Sequence, residues 1–433
     1  MVFVIMSKGR HIRYKLFLLV SLLWLAGCRG VLDVQIEREP AASAPALGKV
    51  ATIAGGDVWL VDLDSSQQLR LTRDGRNSHP LWSADGQWLA YRKQDTLWVN
   101  RVATGEELQV SRFSVDSFTW SPQENRLAYL SAAAGLSVWD HNDRSSRTLV
   151  AADTAQTLAS LAWHPNGQRL AYQTGGITWG LNQIALDGTS PLVQYTAPNA
   201  QMLPHLAGWS PDGRQLLAWL GPGSALYQAD GLPLCVLPVV GGEPRCLADE
   251  RVLLWPDFVA WSPFTNQLAF ITGAGRETWV NKGLAIVDAG TFETRWLVAA
   301  DEQSPLQPDW SPQGERLVYS AGPATPAEVA YAQRDSALAQ RRIWTVEVAS
   351  GLRRQLTDDN RFRDERPLWS ADGRHILFVR LSETEASLWL MSADGRSLEQ
   401  VVAELTPRPD PVGEYGYIEW SALWDWWRPD SGE

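Results

Sequence analysis

The 433-residue chain is 45% apolar and 20% charged, a globular composition that excludes a disordered or collagen-like protein. Its 38 Lys and Arg stand against 49 Asp and Glu, and the resulting charge of −11 disfavours binding to nucleic-acid phosphates. Twenty-three residues are Trp, far above ordinary usage, so the fold must employ the indole repeatedly.

Lys8, Arg10, Arg13 and Lys15 precede an apolar run from Leu16 to Leu25, followed by Ala26 and Gly27. A basic segment, a short apolar segment and small residues describe a secretory signal over residues 1–27. The run is too short to cross about 30 Å of hydrocarbon. Residues 28–48 hold Pro40 and Pro45 without sustained periodicity and read as a flexible tether. The sequence Leu25-Ala26-Gly27-Cys28 resembles a bacterial lipoprotein box. That resemblance implies acylation of Cys28, and a lipid-anchored, extracytoplasmic protein at the cell surface or in the periplasm.

From residue 49 to 429 one unit repeats. An apolar strand ends in Trp-Ser, a tight turn follows, and a second apolar strand ends near an aromatic. The clearest copies are Trp82-Ser-Ala-Asp-Gly86, Trp209-Ser-Pro-Asp-Gly213 and Trp369-Ser-Ala-Asp-Gly373. Looser copies begin at Trp120, Trp163, Trp261 and Trp310, and an eighth, without its turn, at Trp420. Successive spacings run from 38 to 59 residues, a period that marks an array or propeller. In the turn, Pro restricts φ, Asp bonds nearby backbone N–H groups and Gly accepts positive φ. His164 stands where Ser is usual and is expected to cap the turn. A third strand such as 97–102 and a more polar fourth such as 354–357 complete most units. Four short antiparallel strands per repeat define a propeller blade. The eight Trp are expected to fill the seams between blades, each burying roughly 200 Å².

Residues 50–73 supply three strands but lack a Trp-Ser strand, and the missing strand is expected at 417–421. Pairing the two ends predicts an all-β propeller of eight four-stranded blades closed by N- and C-terminal strands, with seven blades as the alternative. Trp424, Trp426 and Trp427 are expected to be buried in the closing blade. Cys235 and Cys246 flank a hairpin turn, and directly opposed strand positions permit a disulfide there.

The Trp-Ser-Pro/Ala-Asp-Gly…Leu-Ala-Tyr…Gly…Leu-Thr grammar resembles the WD-like repeats of TolB-like propellers. It is also similar to the propeller halves of prolyl-oligopeptidase-type enzymes. The resemblance covers residues 49–425 and implies a ring that binds proteins or other ligands on one face. The chain departs from TolB in having a tether too short for the α/β domain that precedes the TolB propeller. The peptidase chemistry would need a Gly-x-Ser-x-Gly elbow, which does not occur. Neither a Gly-Lys-Ser/Thr phosphate loop nor a His-Glu-x-x-His pair occurs. No catalytic residue, metal or cofactor is therefore assigned.

Connections between fourth and first strands and between second and third strands share one face of a propeller. Here they are long at 195–204, 221–232, 249–256, 273–283, 301–308, 322–342 and 361–366, whereas the opposite turns are tight. Loops on a rigid scaffold carry function, so His79, His205, Trp255, Asp257, Arg363, Glu365, Arg366 and Tyr417 are the binding-face candidates. The expected function is a non-catalytic scaffold of the cell envelope, monomeric, with an envelope protein or glycan as partner and the membrane reached through the lipid. The alternative is a carbohydrate-binding or metal-dependent polysaccharide-lyase-like propeller, motivated by the abundant Trp and by His79 and His205.

Overall fold

In the computed structural model the described residues are 46–429, apart from 190, 241, 248–249, 330, 407–408 and 411. The expected signal, Cys28 and nearly all of the expected tether lie outside them. Eight antiparallel sheets of four strands each form the ring. Blade 1 comprises strands 77–82, 88–93, 96–101 and 106–114. Blades 2 to 7 begin with the inner strands Ser117–Trp120, Gln156–Trp163, Leu203–Trp209, Val259–Trp261, Gln303–Trp310 and Arg363–Trp369. Blade 8 joins Lys49–Ala54, Asp57–Asp62 and Gln68–Arg70 to Trp424–Trp427 from the far end of the chain.

The repeat grammar becomes local structure directly. Each turn between first and second strands holds five residues, as in 83–87 and 370–374. In blade 1 the Ser83 hydroxyl donates to Asp85 (2.7 Å) and accepts from the Trp88 N–H (3.0 Å). Gly86 takes φ +66 and passes so close to Trp427 that a Cβ would lie 2.3 Å from its ring. In blade 3, His164 caps as expected: Nδ1 accepts from the Asn166 N–H at 3.1 Å, and Nε2 lies 3.2 Å from the Gly213 carbonyl of blade 4.

The apolar side chains gather into clusters that each span adjacent blades. Trp120 packs with residues of blades 1 and 2, Trp163 with blades 2 and 3, and Trp310 with blades 5 and 6. Four of these indoles also donate to the preceding blade. Trp120 reaches the Leu81 carbonyl (2.9 Å), Trp163 that of Thr119 (3.0 Å), Trp209 that of Ala162 (3.2 Å) and Trp310 that of Ala260 (2.8 Å). The acceptor is always the residue before the previous anchor Trp, so one hydrogen bond recurs from seam to seam.

The closing strand differs from expectation. Residues 417–421 do not pair with the N-terminal strand, and Trp420–Ala422 forms a 3-10 turn. The partner strand lies seven residues later, pairing Lys49 with Trp427 and Thr52 with Trp424. The Asp425 carboxylate accepts the Trp82 N–H at 2.8 Å, as Asp309, before Trp310, accepts that of Trp369. By that equivalence Trp426, not Trp420, is the anchor of blade 8. Trp424 and Trp426 are buried, and the eight-blade closure itself stands.

Cys235 and Cys246 are directly opposed on the two outer strands of blade 4 and joined by a disulfide.

Candidate functional site

All seven first-to-second-strand turns have the same length, while the opposite face carries the large insertions. Residues 222–233 include the helix Ala225–Ala229, and residues 324–341 include a 3-10 turn at Ala327–Val329 and the helix Arg334–Ala339. The segment 409–423 adds an element that the repeat reading missed. It leaves blade 7, reaches the entrance to blade 5, where Tyr417 stacks on Trp255 (centroids 4.1 Å apart, 16° between planes), and returns to blade 8. The Thr278 N–H donates to the Tyr415 carbonyl at 3.0 Å, and the Ile53 N–H to the Leu423 carbonyl at 2.8 Å. This strap crosses the mouth of the ring.

The inner strands present a second regularity. His79, Ser160, Gln307 and Arg366 each lie three residues before an anchor Trp, and each has positive φ, between 46° and 54°. The pairing register slips at each of these points. A β-bulge re-aims a side chain, and left-handed φ costs a non-glycine residue about 1–3 kcal/mol. The same strained turn in four blades is thus a device for aiming one side chain per blade.

Six of the eight candidates come together between blades 5 to 7 and the strap. Asp257 lies in the 3-10 turn Pro256–Phe258. Its Oδ2 accepts from Gln307 Nε2 at 2.9 Å and lies 3.8 Å from Arg366 Nε, while its buried Oδ1 has no hydrogen-bond partner. Burial raises the Asp257 pKa against the pull of Arg366 and Gln307. Burial likewise raises the Tyr417 phenol, reinforced by the Asp257 charge.

Arg363 and Glu365 are not on an open face. Residues 363–366, expected in a connection, belong to the inner strand of blade 7, and both side chains are buried. Glu365 pairs with Arg341 from the blade 6 insertion and accepts from Arg363 Nε at 2.7 Å and Trp420 Nε1 at 3.0 Å. Arg341 also donates to the Gly416 carbonyl (2.7 Å) and Thr278 Oγ1 (2.6 Å). Burial pushes Glu365 up, but the two guanidinium groups outweigh it and leave the carboxyl lowered. The Arg-Glu-Arg group therefore fastens strap and insertion to blade 7 and is not exposed for a ligand.

His79 and His205 lie within the inner strands of blades 1 and 4, not before them, and do not converge. His205 contacts Gln228 at 3.2 Å. His79 Nδ1 is 3.0 Å from Ser78 Oγ, and Nε2 is 3.8 Å from Glu419. Burial and then Arg92 lower the His79 pKa to about 4. A base that weak activates a neighbouring hydroxyl poorly at neutral pH. Among the described residues no three His, Cys, Asp or Glu side chains gather to hold a metal ion.

Two cavities flank the strap and share Glu419. One, of about 400 Å³, lies between blades 8, 1 and 2 and includes His79, Arg92, Phe118 and Trp424. The other, of about 310 Å³, lies against Trp255, Tyr417, Glu414 and Ile418. Sequence reasoning named Trp255 and Tyr417 but missed Arg92, Gln307, Glu414 and Glu419. The three-residue offset from the anchor Trp was the signal that points to Gln307.

These features define an eight-bladed propeller with one uniform face and one strapped, elaborated face. No protein-family model matches the chain, and no curated protein matches it. Among solved structures, dipeptidyl peptidase 4 of Porphyromonas gingivalis aligns with TM-score 0.59 at 9% identity, covering 84% of this chain and 61% of the peptidase. An oligogalacturonate lyase from Vibrio parahaemolyticus aligns with TM-score 0.51 at 13% identity, covering 80% of this chain and 98% of the lyase. TolB from Acinetobacter baumannii aligns with TM-score 0.36 at 14% identity, covering 76% of this chain and 79% of TolB. The expected propeller is present as an eight-blade ring, shown by its own strand pairing. A further oligogalacturonate lyase was solved with manganese. The separated His79 and His205, in blades 1 and 4, do not fit such a metal.

Proposed function

We propose that this protein is a non-catalytic propeller scaffold that binds a partner protein at its strapped face, held outside the cytoplasm by a lipid on Cys28 and acting as a monomer. The observation that carries the reading is the contrast between faces: seven turns of fixed length on one side, and long insertions with a strap across them on the other. Rigid scaffolds concentrate binding on such variable loops. The weak base at His79 and the fastened Arg-Glu-Arg group support binding over catalysis.

Affinity capture from detergent-solubilised envelope tests it. Full-length protein is expected to recover a partner that is lost when residues 324–341 are shortened, and a partner set identical for both proteins would refute the assignment. Metabolic labelling with a fatty acid tests the anchor: label is expected on the full chain and absent from Cys28→Ser.

A further inference from the structure

The smaller cavity has a chemistry of its own. Trp255 and Tyr417 form a stacked aromatic wall, and Glu414 and Glu419 stand exposed at its edge. Among the described residues Glu414 makes no ion pair. The imidazole nearest Glu419 is His79, at 3.8 Å and neutral at pH 7. A π-face with carboxylates beside it attracts a cation through both the ring quadrupole and charge-assisted hydrogen bonds. A volume of about 310 Å³ is at the small end of ligand sites, which suits one long side chain better than an oligosaccharide.

Resting on the scaffold reading, we propose that this cavity receives a basic side chain, Arg or Lys, presented by an extended segment of the partner protein. Glu414 and Glu419 pair with the cationic head while the Trp255–Tyr417 wall covers its stem and face. One further observation agrees with this. The net charge of −11 steers a basic segment toward the protein.

The test uses calorimetry on the full chain with two capped pentapeptides, a central arginine or its neutral analogue citrulline between glycines. The arginine peptide is expected to bind about tenfold more tightly than citrulline and to weaken as salt rises. Glu414→Gln with Glu419→Gln changes only exposed side chains and is expected to abolish that preference. A lysine peptide within a few-fold of arginine supports the proposal equally. Equal binding of arginine and citrulline, no binding of either, or an unchanged preference in the double variant at an unchanged melting temperature would each overturn it. If the double variant still captures the loop-dependent envelope partner with undiminished yield, this inference fails while the scaffold reading survives.

Discussion

Replacing Glu365 by Gln should loosen the strap before it unfolds the ring. The substitution keeps shape but removes the carboxylate that Arg341 and Arg363 share, and these two side chains are 1% and 5% exposed. Breaking a buried ion pair from one side costs about 3–5 kcal/mol, because the remaining charge is stranded. Arg341 would be left on neutral acceptors, the Gly416 carbonyl and the Thr278 hydroxyl, and burial with Arg363 already lowers its pKa to about 10. The upper half of that range, about 4–5 kcal/mol, is therefore expected. Unfolding entropy near 2.1 cal/mol/K per residue over about 380 residues converts this to a melting-temperature loss of roughly 5–6 °C, if the ring melts as one unit. Hydrogen exchange should report where the loss falls. The Thr278 N–H, bonded to the Tyr415 carbonyl, is expected to exchange faster, while the seam between blades 2 and 3 is unaffected. A melting loss under about 1 °C, or a larger loss spread evenly over all blades, would refute the reasoning.

Three further outcomes follow from the described contacts. The His79 pKa of about 4 lies below its unfolded value of 6.5, so the unfolded chain binds the proton first and stability is lost as pH falls through that window. Denaturation at the two ends of the window should show about 1–3 kcal/mol less loss in His79→Asn than in the parent, a comparison that cancels the opposite slope of Asp257, Asp309 and Asp425. Gly86→Ala, where a Cβ meets Trp427 at 2.3 Å, should cost about 1–3 kcal/mol more in urea titrations than Gly105→Ala, which has similar φ and open space. Trp310→Phe orphans the Ala260 carbonyl, whereas Trp369 Nε1 has no partner to lose; melts should separate the two variants by about 1 kcal/mol.

The blades were readable because they rest on a local code: an anchor Trp, a tight turn that reads Ser-x-Asp-Gly in three of them, and short apolar strands. The closing strand was misread for the same reason. Trp420-Ser421 matches the code, but no second strand follows it, whereas Asp425-Trp426 lacks the Ser yet contributes the carboxylate that meets Trp82. The site was only partly legible. Arg363 and Glu365 lie in a run of charges typical of an exposed loop, and only the insertion and strap, folding back from distant sequence, bury them. Glu414 and Glu419 carry no motif, and their meeting with Trp255 depends on where the strap crosses the ring.

Joining Lys49–Ala54 to Trp424–Trp427 sets a temporal order on biogenesis. The earliest-made sheet cannot acquire its fourth member until almost the whole polypeptide has emerged, and contacts so remote along the chain form slowly. Throughout that interval an unpaired edge is bare and prone to association with other strands. Loss of Trp424–Trp427 would perpetuate that vulnerable state.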